Sequence, residues 1–161
     1  MIKTRRPIAG DIPALIDFQR EGWFEDYAEV IPAGYAEYAT GIYGTAEAIK
    51  RQIASDLIYL VAEEKGTVIA CATAEILNPD EAEVWWIHTA KGYRQRGIGR
   101  RLIDAIIQQL AGKVPMLCVT TFQDYTPTLT FYERLGFCVQ QTTIYEVGPF
   151  RIPDVRLCKA L

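Results

Sequence analysis

The chain has 161 residues, of which 50% are hydrophobic and 23% charged. That is the size and balance of one globular domain spanning residues 1–161, and it excludes wholesale disorder, collagen-like repeats and a pure coiled coil. A net charge of −3 and a pI near 5.2 argue against a nucleic-acid binder, whose affinity comes from Lys and Arg neutralising phosphates. No stretch approaches the roughly 20 apolar residues of a membrane span, and Asp11 and Pro13 interrupt the N-terminus before a signal-peptide core can form. Cys71, Cys118, Cys138 and Cys158 lie far apart with no C-x-x-C spacing. The reading is four buried, reduced thiols in a cytoplasmic protein, with neither a zinc site nor a disulfide framework.

Ile2 to Arg6 forms a first strand, followed by a helix from Ile12 to Phe24 in which Ile12, Leu15, Ile16, Gln19 and Trp23 share a face. A stretch rich in Tyr, Gly and Ala leads to a helix over Ala46 to Ser55. Leu57 to Ala62 and Val68 to Ile76 flank a Gly66 turn and form a hairpin, ended by Asn78-Pro79-Asp80. Glu83 to Thr89 is a further strand, and Ile98, Leu102, Ile106 and Leu110 make one helical stripe. Met116 to Thr121 is the next strand, and Pro127 to Leu135 a short helix closed by Gly136. Phe137 to Val147 and Asp154 to Leu157 supply late strands.

The stretch Arg94-Gln95-Arg96-Gly97-Ile98-Gly99-Arg100-Arg101 lies between a strand and an amphipathic helix, with Lys91 adding a fifth cation. Glycines there let a ligand approach the backbone, and free amides at the helix start favour an anion such as pyrophosphate. A dinucleotide fingerprint would need Gly at Leu102, and a Walker loop would need Lys-Ser/Thr at Arg100-Arg101. Both fail. What remains is R-x-x-G-x-G in the right context, set against a plain solvated basic helix start.

Further on, Phe131-Tyr132-Glu133-Arg134-Leu135-Gly136-Phe137, reached through a strand, resembles the motif that follows the R/Q-x-x-G-x-G/A loop in the GNAT superfamily of N-acetyltransferases. The resemblance is specific from about Glu83 to Phe137 and generic before it. It implies an α/β GNAT fold: a central mixed, twisted sheet whose middle strands splay, flanked by helices. It also implies acetyl-CoA as co-substrate, held by Arg94, Arg96, Gly97, Ile98, Gly99 and Arg100, with the Thr89 backbone at the acetyl carbonyl and Tyr125 where many relatives carry Asn. Thr128 stands where relatives carry Ala, whereas Pro127 agrees. No metal is required. Homodimerisation is common in that superfamily, and strands around Val139 to Tyr145 offer an edge for it. Asp at Gly97 or Gly99 is expected to weaken CoA binding without unfolding the chain.

Transfer to an amine needs a base to remove a proton and is helped by an acid for the departing thiolate. Glu83, eleven positions before Arg94, matches the strand Glu that is the base in some relatives, provided that burial lifts its pKa from about 4.3; a solvent-facing strand carboxylate is the other reading. His88 is the only His, but in a regular strand residues 83 and 88 face opposite sides unless a bulge intervenes. Tyr132 matches the general acid of relatives, although Leu129, Tyr132 and Leu135 also recur at helical spacing as core residues would.

Between Glu21 and Ile49 there are six acids and no Lys or Arg, interleaved with Trp23, Phe24, Tyr27, Tyr35, Tyr38 and Tyr43. In relatives the early helices wall the acceptor site, so Trp23, Glu25, Asp26 and Tyr27 become candidates for binding a small cationic amine by charge and cation–π attraction. The expected activity is acetyl transfer from acetyl-CoA to that small-molecule amine by direct attack in a ternary complex. A catalytically silent CoA-binding or regulatory domain is the alternative, and a nucleotide-binding module a weaker one.

Overall fold

The computed structural model describes residues 1–161. Seven strands form one sheet in the order β1-β2-β3-β4-β5-β7-β6. They are β1 (Ile2–Arg5), β2 (Ile58–Glu64), β3 (Thr67–Asn78), β4 (Glu81–Thr89), β5 (Met116–Phe122), β6 (Cys138–Val147) and β7 (Phe150–Ala160). The helices are α1 (Ile12–Glu21), α2 (Tyr35–Tyr43), α3 (Ala46–Ala54), α4 (Ile98–Leu110) and α5 (Thr126–Arg134). None of the helices is long and apolar enough to cross a membrane.

All pairings are antiparallel except β4 with β5. A parallel neighbour needs a crossover, and α4 supplies it. Its stripe Ile98, Leu102, Ile103, Ile106 and Leu110 is at most 2% exposed and packs on Ala70, Ala72, Ala74 and Val84. Fully burying each such Leu or Ile contributes about 1.5–3 kcal/mol, so this face anchors the β4–loop–α4 unit. On the opposite sheet face, Leu15, Phe18 and Ile49 pack with Tyr59, Val61 and Cys71. Beside them a third cluster joins Trp23, Tyr35, Ala36, Ala39 and Ile152.

The first helix runs as expected to Glu21 and then widens into a π-helical turn over Gly22–Asp26. Trp23 and Tyr27 leave that turn together, with ring centroids 5.4 and 6.2 Å from Trp86 and 6.0 and 4.8 Å from Phe122. The last strand is longer than its pattern implied because Pro153 does not end it; the Pro153 carbonyl accepts the Gln123 amide at 2.9 Å. β6 is an edge strand, with Val139, Ile144 and Tyr145 exposed.

The four-thiol expectation is corrected. Cys118 and Cys158 form a disulfide, Cys71 is buried and free, and Cys138 is free but exposed. The two bridged residues are 40 apart in sequence, yet they are direct partners because β7 returns beside β5. Cys138 on β6 is the partner of Cys158 on its other side.

Candidate active site

β4 and β5 pair only from Glu81 with Met116 to Val84 with Val119, and beyond that point they part. A cleft of about 1310 Å³ opens through the gap. Val84, Ile87, Val119 and Tyr132 line it from one side, and Trp23, Tyr27, Tyr35, Trp86 and Phe122 from the other.

Polar backbone faces this gap. Ala90 donates to the Ile69 carbonyl at 2.9 Å, and Ala70 and Ala72 stand opposite Thr89 and Ile87. Bonded and non-bonded pairs alternate along an antiparallel ladder. Ile87 and Thr89 therefore turn their N–H and C=O groups away from β3, toward the side where β5 has departed. The Thr89 carbonyl takes a hydrogen bond from Arg94 Nε at 2.8 Å, which leaves its amide as a donor into the gap.

At the end of this strand Gln95 and Gly97 adopt positive φ, 60° and 74°, and the second turns the chain into α4. The first intrahelical bond there is from the Arg101 amide to the Gly97 carbonyl, and no side chain caps the helix. The amides of Ile98, Gly99 and Arg100 consequently point out of its N-terminus without a helical acceptor. The two glycines differ. A Cβ on Gly97 would meet open space, whereas one on Gly99 would lie 3.1 Å from the Phe131 ring. Gly97 lets the backbone turn, and Gly99 lets α4 approach α5, so Asp at Gly99 disturbs packing as well as any ligand.

Most of the loop cations have partners within the chain. Arg94 binds Asp26 at 2.6 and 2.9 Å and Glu21 at 3.2 Å. Lys91 binds Glu25, and Arg96 binds Glu64 at 2.8 Å while lying over the Tyr93 ring. Arg101 bonds the Ile2 carbonyl, and exposed Arg100 lies 3.8 Å from Asp104. Asp26 and Glu25, expected to meet an acceptor, thus serve as counter-ions to Arg94 and Lys91. Tyr125 closes the same corner, its ring centroid 4.9 Å from that of Tyr27.

The strand does carry a bulge: Ala74 pairs with Val84 and Thr73 with Trp86, leaving Trp85 without an opposite. It brings Glu83, Trp86 and His88 to one sheet face. His88 is nevertheless removed from the cleft lining. It is 5% exposed, stacked with Trp86, and lies 3.1 Å from Glu21 and 3.7 Å from Asp26. Burial lowers its pKa against the pull of those two carboxylates. Glu21, Asp26 and His88 have metal-ligand spacing, but the Arg94 guanidinium already supplies the positive charge between the two carboxylates.

Glu83 is 2% exposed. It accepts hydrogen bonds from Thr120 Oγ1 at 2.9 Å and Arg156 at 3.0 Å, and Arg156 also binds Glu81 at 2.9 Å. Burial raises its pKa, opposed by the Thr120 hydrogen bond and Arg156. Both of these partners stand on the neighbouring strands β5 and β7, whereas Trp85 on β4 is 54% exposed. Thr120 lines the cleft and Glu83 does not, so the carboxylate lies one hydroxyl behind the wall. Tyr132 is 1% exposed, has no hydrogen bond on its hydroxyl, and lines the cleft. Desolvation raises its phenol far above the ordinary value, which keeps it protonated as a proton donor must be. Sequence reasoning missed Thr120 and Arg156, because their roles arise only from the β4–β5–β7 register.

A splayed parallel strand pair, free amides at the following helix and a buried Tyr between them define an acyl-CoA-dependent acetyltransferase. The acetyltransferase (GNAT) family profile matches residues 16–137, and the chain belongs to that family. Among solved structures it is similar to the PaiA N-acetyltransferase of Thermoplasma acidophilum in complex with coenzyme A, at 21% identity and a TM-score of 0.80 over 96% of this chain and 98% of that one. It is also similar to the ribosomal-protein-S18-alanine N-acetyltransferase of Escherichia coli, at 17% identity and a TM-score of 0.72 over 99% and 94% of the two chains. The YncA protein of Salmonella typhimurium, solved with acetyl-CoA, matches at 12% identity and a TM-score of 0.70 over 99% and 94%.

Proposed function

We propose that the protein transfers an acetyl group from acetyl-CoA to the primary amine of a small, positively charged molecule, by direct attack with both substrates in the cleft. The observation that carries this reading is the gap beyond Val84 and Val119, where backbone amides, Tyr132 and Thr120 converge. The residues present fit acetyl-CoA: unpaired amides of Ile98, Gly99 and Arg100 suit a pyrophosphate, and no Cβ at Gly97 obstructs them. Bound there, acetyl-CoA supplies an activated thioester carbonyl.

The Thr89 and Ile87 amides are donors for negative charge developing on that carbonyl oxygen, fixed in place before reaction. Tyr132 is the proton donor for the departing thiolate. Glu83 receives the amine proton through the Thr120 hydroxyl, its raised pKa favouring proton acceptance near neutrality. Arg94 orders the loop through Thr89, Asp26 and Glu21 rather than by charge on the pyrophosphate. Trp23, Tyr27, Tyr35 and Trp86 provide aromatic faces for a cation on the acceptor side. Chain 1–161 serves as one catalytic domain, and the exposed edge β6 supports self-association.

Thiol release from acetyl-CoA over polyamines, aminoglycosides, amino acids and peptides tests the reading. Amine-dependent release with a preference for small cationic amines is expected. CoA binding without amine-dependent release identifies a silent domain, and preference for neutral or anionic amines defeats the acceptor class alone.

A further inference from the structure

One buried acid takes no part in the network described above. Asp154 on β7 is 9% exposed and lines the cleft, yet no hydrogen bond or ion pair within the chain reaches its carboxylate. It shares a sheet face with Arg156, two residues along β7 and therefore about 7 Å away. Arg156 cannot neutralise it, because both ends of that guanidinium are held by Glu81 and Glu83. Desolvation alone raises the Asp154 pKa, to about 6, so the carboxylate is still largely ionised at neutral pH.

Its surroundings are aromatic. Asp154 stands opposite Phe122 in register, and Tyr35 lies close enough to sense its charge. Trp23 stands edge-on to both rings, with centroids 5.6 and 6.0 Å away. A buried anion without a counter-ion is costly to a fold; ringed by π faces and open to a cavity, it is suited to an organic ammonium supplied from outside.

Resting on the acetyltransferase reading, we propose that Asp154 binds the non-reacting ammonium of a diamine or polyamine acceptor, holding the other amine toward Thr120 and the β4–β5 gap. The reacting amine must be neutral to attack, so a carboxylate that pairs with a retained charge selects substrates with a second amine. A proton acceptor at this position would instead act on every amine alike.

The test compares putrescine, n-butylamine and 4-amino-1-butanol as acceptors for the wild type and for Asp154→Asn. The wild type is expected to favour putrescine in kcat/KM. Asp154→Asn is expected to lower that value on the order of tenfold, mainly through KM, leaving the two monoamines unchanged, with partial rescue in Asp154→Glu. Putrescine perturbation of the intrinsic tryptophan fluorescence, to which Trp23 and Trp86 in the cleft contribute, read without turnover, should disappear in Asp154→Asn. Equal use of all three amines by the wild type, an equal fall for all three in the variant, or putrescine binding that survives Asp154→Asn overturns the proposal. If no amine drives thiol release while Asp154-dependent putrescine binding persists, the anchor stands and the transferase reading fails.

Discussion

The acids beside the π turn and the single acid on β7 that lines the cleft have opposite fates. On the wall made by the end of α1 and the π turn, Glu21, Glu25 and Asp26 are each paired with Lys91, Arg94 or His88. On the floor made by β7, Asp154 is buried with no partner. The wall contains the charge run that stands out in the sequence, and the floor contains one acid in a strand that draws no notice. In this chain the charge run supplies counter-ions for the chain's own cations, whereas the acid left unpaired lies elsewhere, on β7.

Breaking the wall should cost stability, and breaking the floor should not. Tyr132→Phe, which removes an unpartnered hydroxyl from the cleft, is expected to lower kcat about a hundredfold while barely moving the unfolding midpoint. Unchanged turnover at saturating acetyl-CoA makes Tyr132 scaffold only. Asp26→Ala leaves the Arg94 guanidinium without its closest partner and should destabilise the protein by about 3 kcal/mol, visible in urea unfolding, and raise the KM for acetyl-CoA by loosening the loop. An unchanged midpoint shows that the wall is not a structural ion pair.

Asp154→Asn should do the reverse. The folded protein holds the Asp154 proton more tightly than the unfolded chain does, with the pKa raised from 3.8 to about 6. Stability from this group is therefore complete below the unfolded value and lost as pH rises through about 6. The variant should exceed the wild type by roughly 2 kcal/mol at pH 7 and match it near pH 3. A variant that is less stable at neutral pH means that Asp154 has a partner in the folded protein. The smallest effect concerns thiols: denatured without reductant, the protein should take up alkylating reagent at two cysteines, Cys71 and Cys138. Four adducts contradict the Cys118–Cys158 bridge.

What was legible in the sequence was local. The Glu83 to Leu110 unit declares itself because its β-branched strand, glycine turn and helical stripe lie within one stretch of chain. The fates of particular side chains depended on pairings that no window contains. The bulge at Trp85, which turns Glu83 and His88 to one face, is a property of the β3 register. The disulfide follows from β7 returning between β5 and β6. Arg94 read as a pyrophosphate contact because its partners, Glu21 and Asp26, are 73 and 68 residues away. Asp154, next to Pro153 in what looked like the start of a short strand, could not be singled out, since the absence of a partner is a tertiary fact.

The most direct measurement puts the wall and the floor side by side: the ratio of kcat/KM for putrescine to that for n-butylamine in wild type, Asp26→Asn and Asp154→Asn. The predicted result is a ratio that survives Asp26→Asn, even where overall activity drops, and collapses toward one in Asp154→Asn. A ratio that collapses in Asp26→Asn and survives in Asp154→Asn would contradict the account, returning acceptor recognition to the paired acids of the wall.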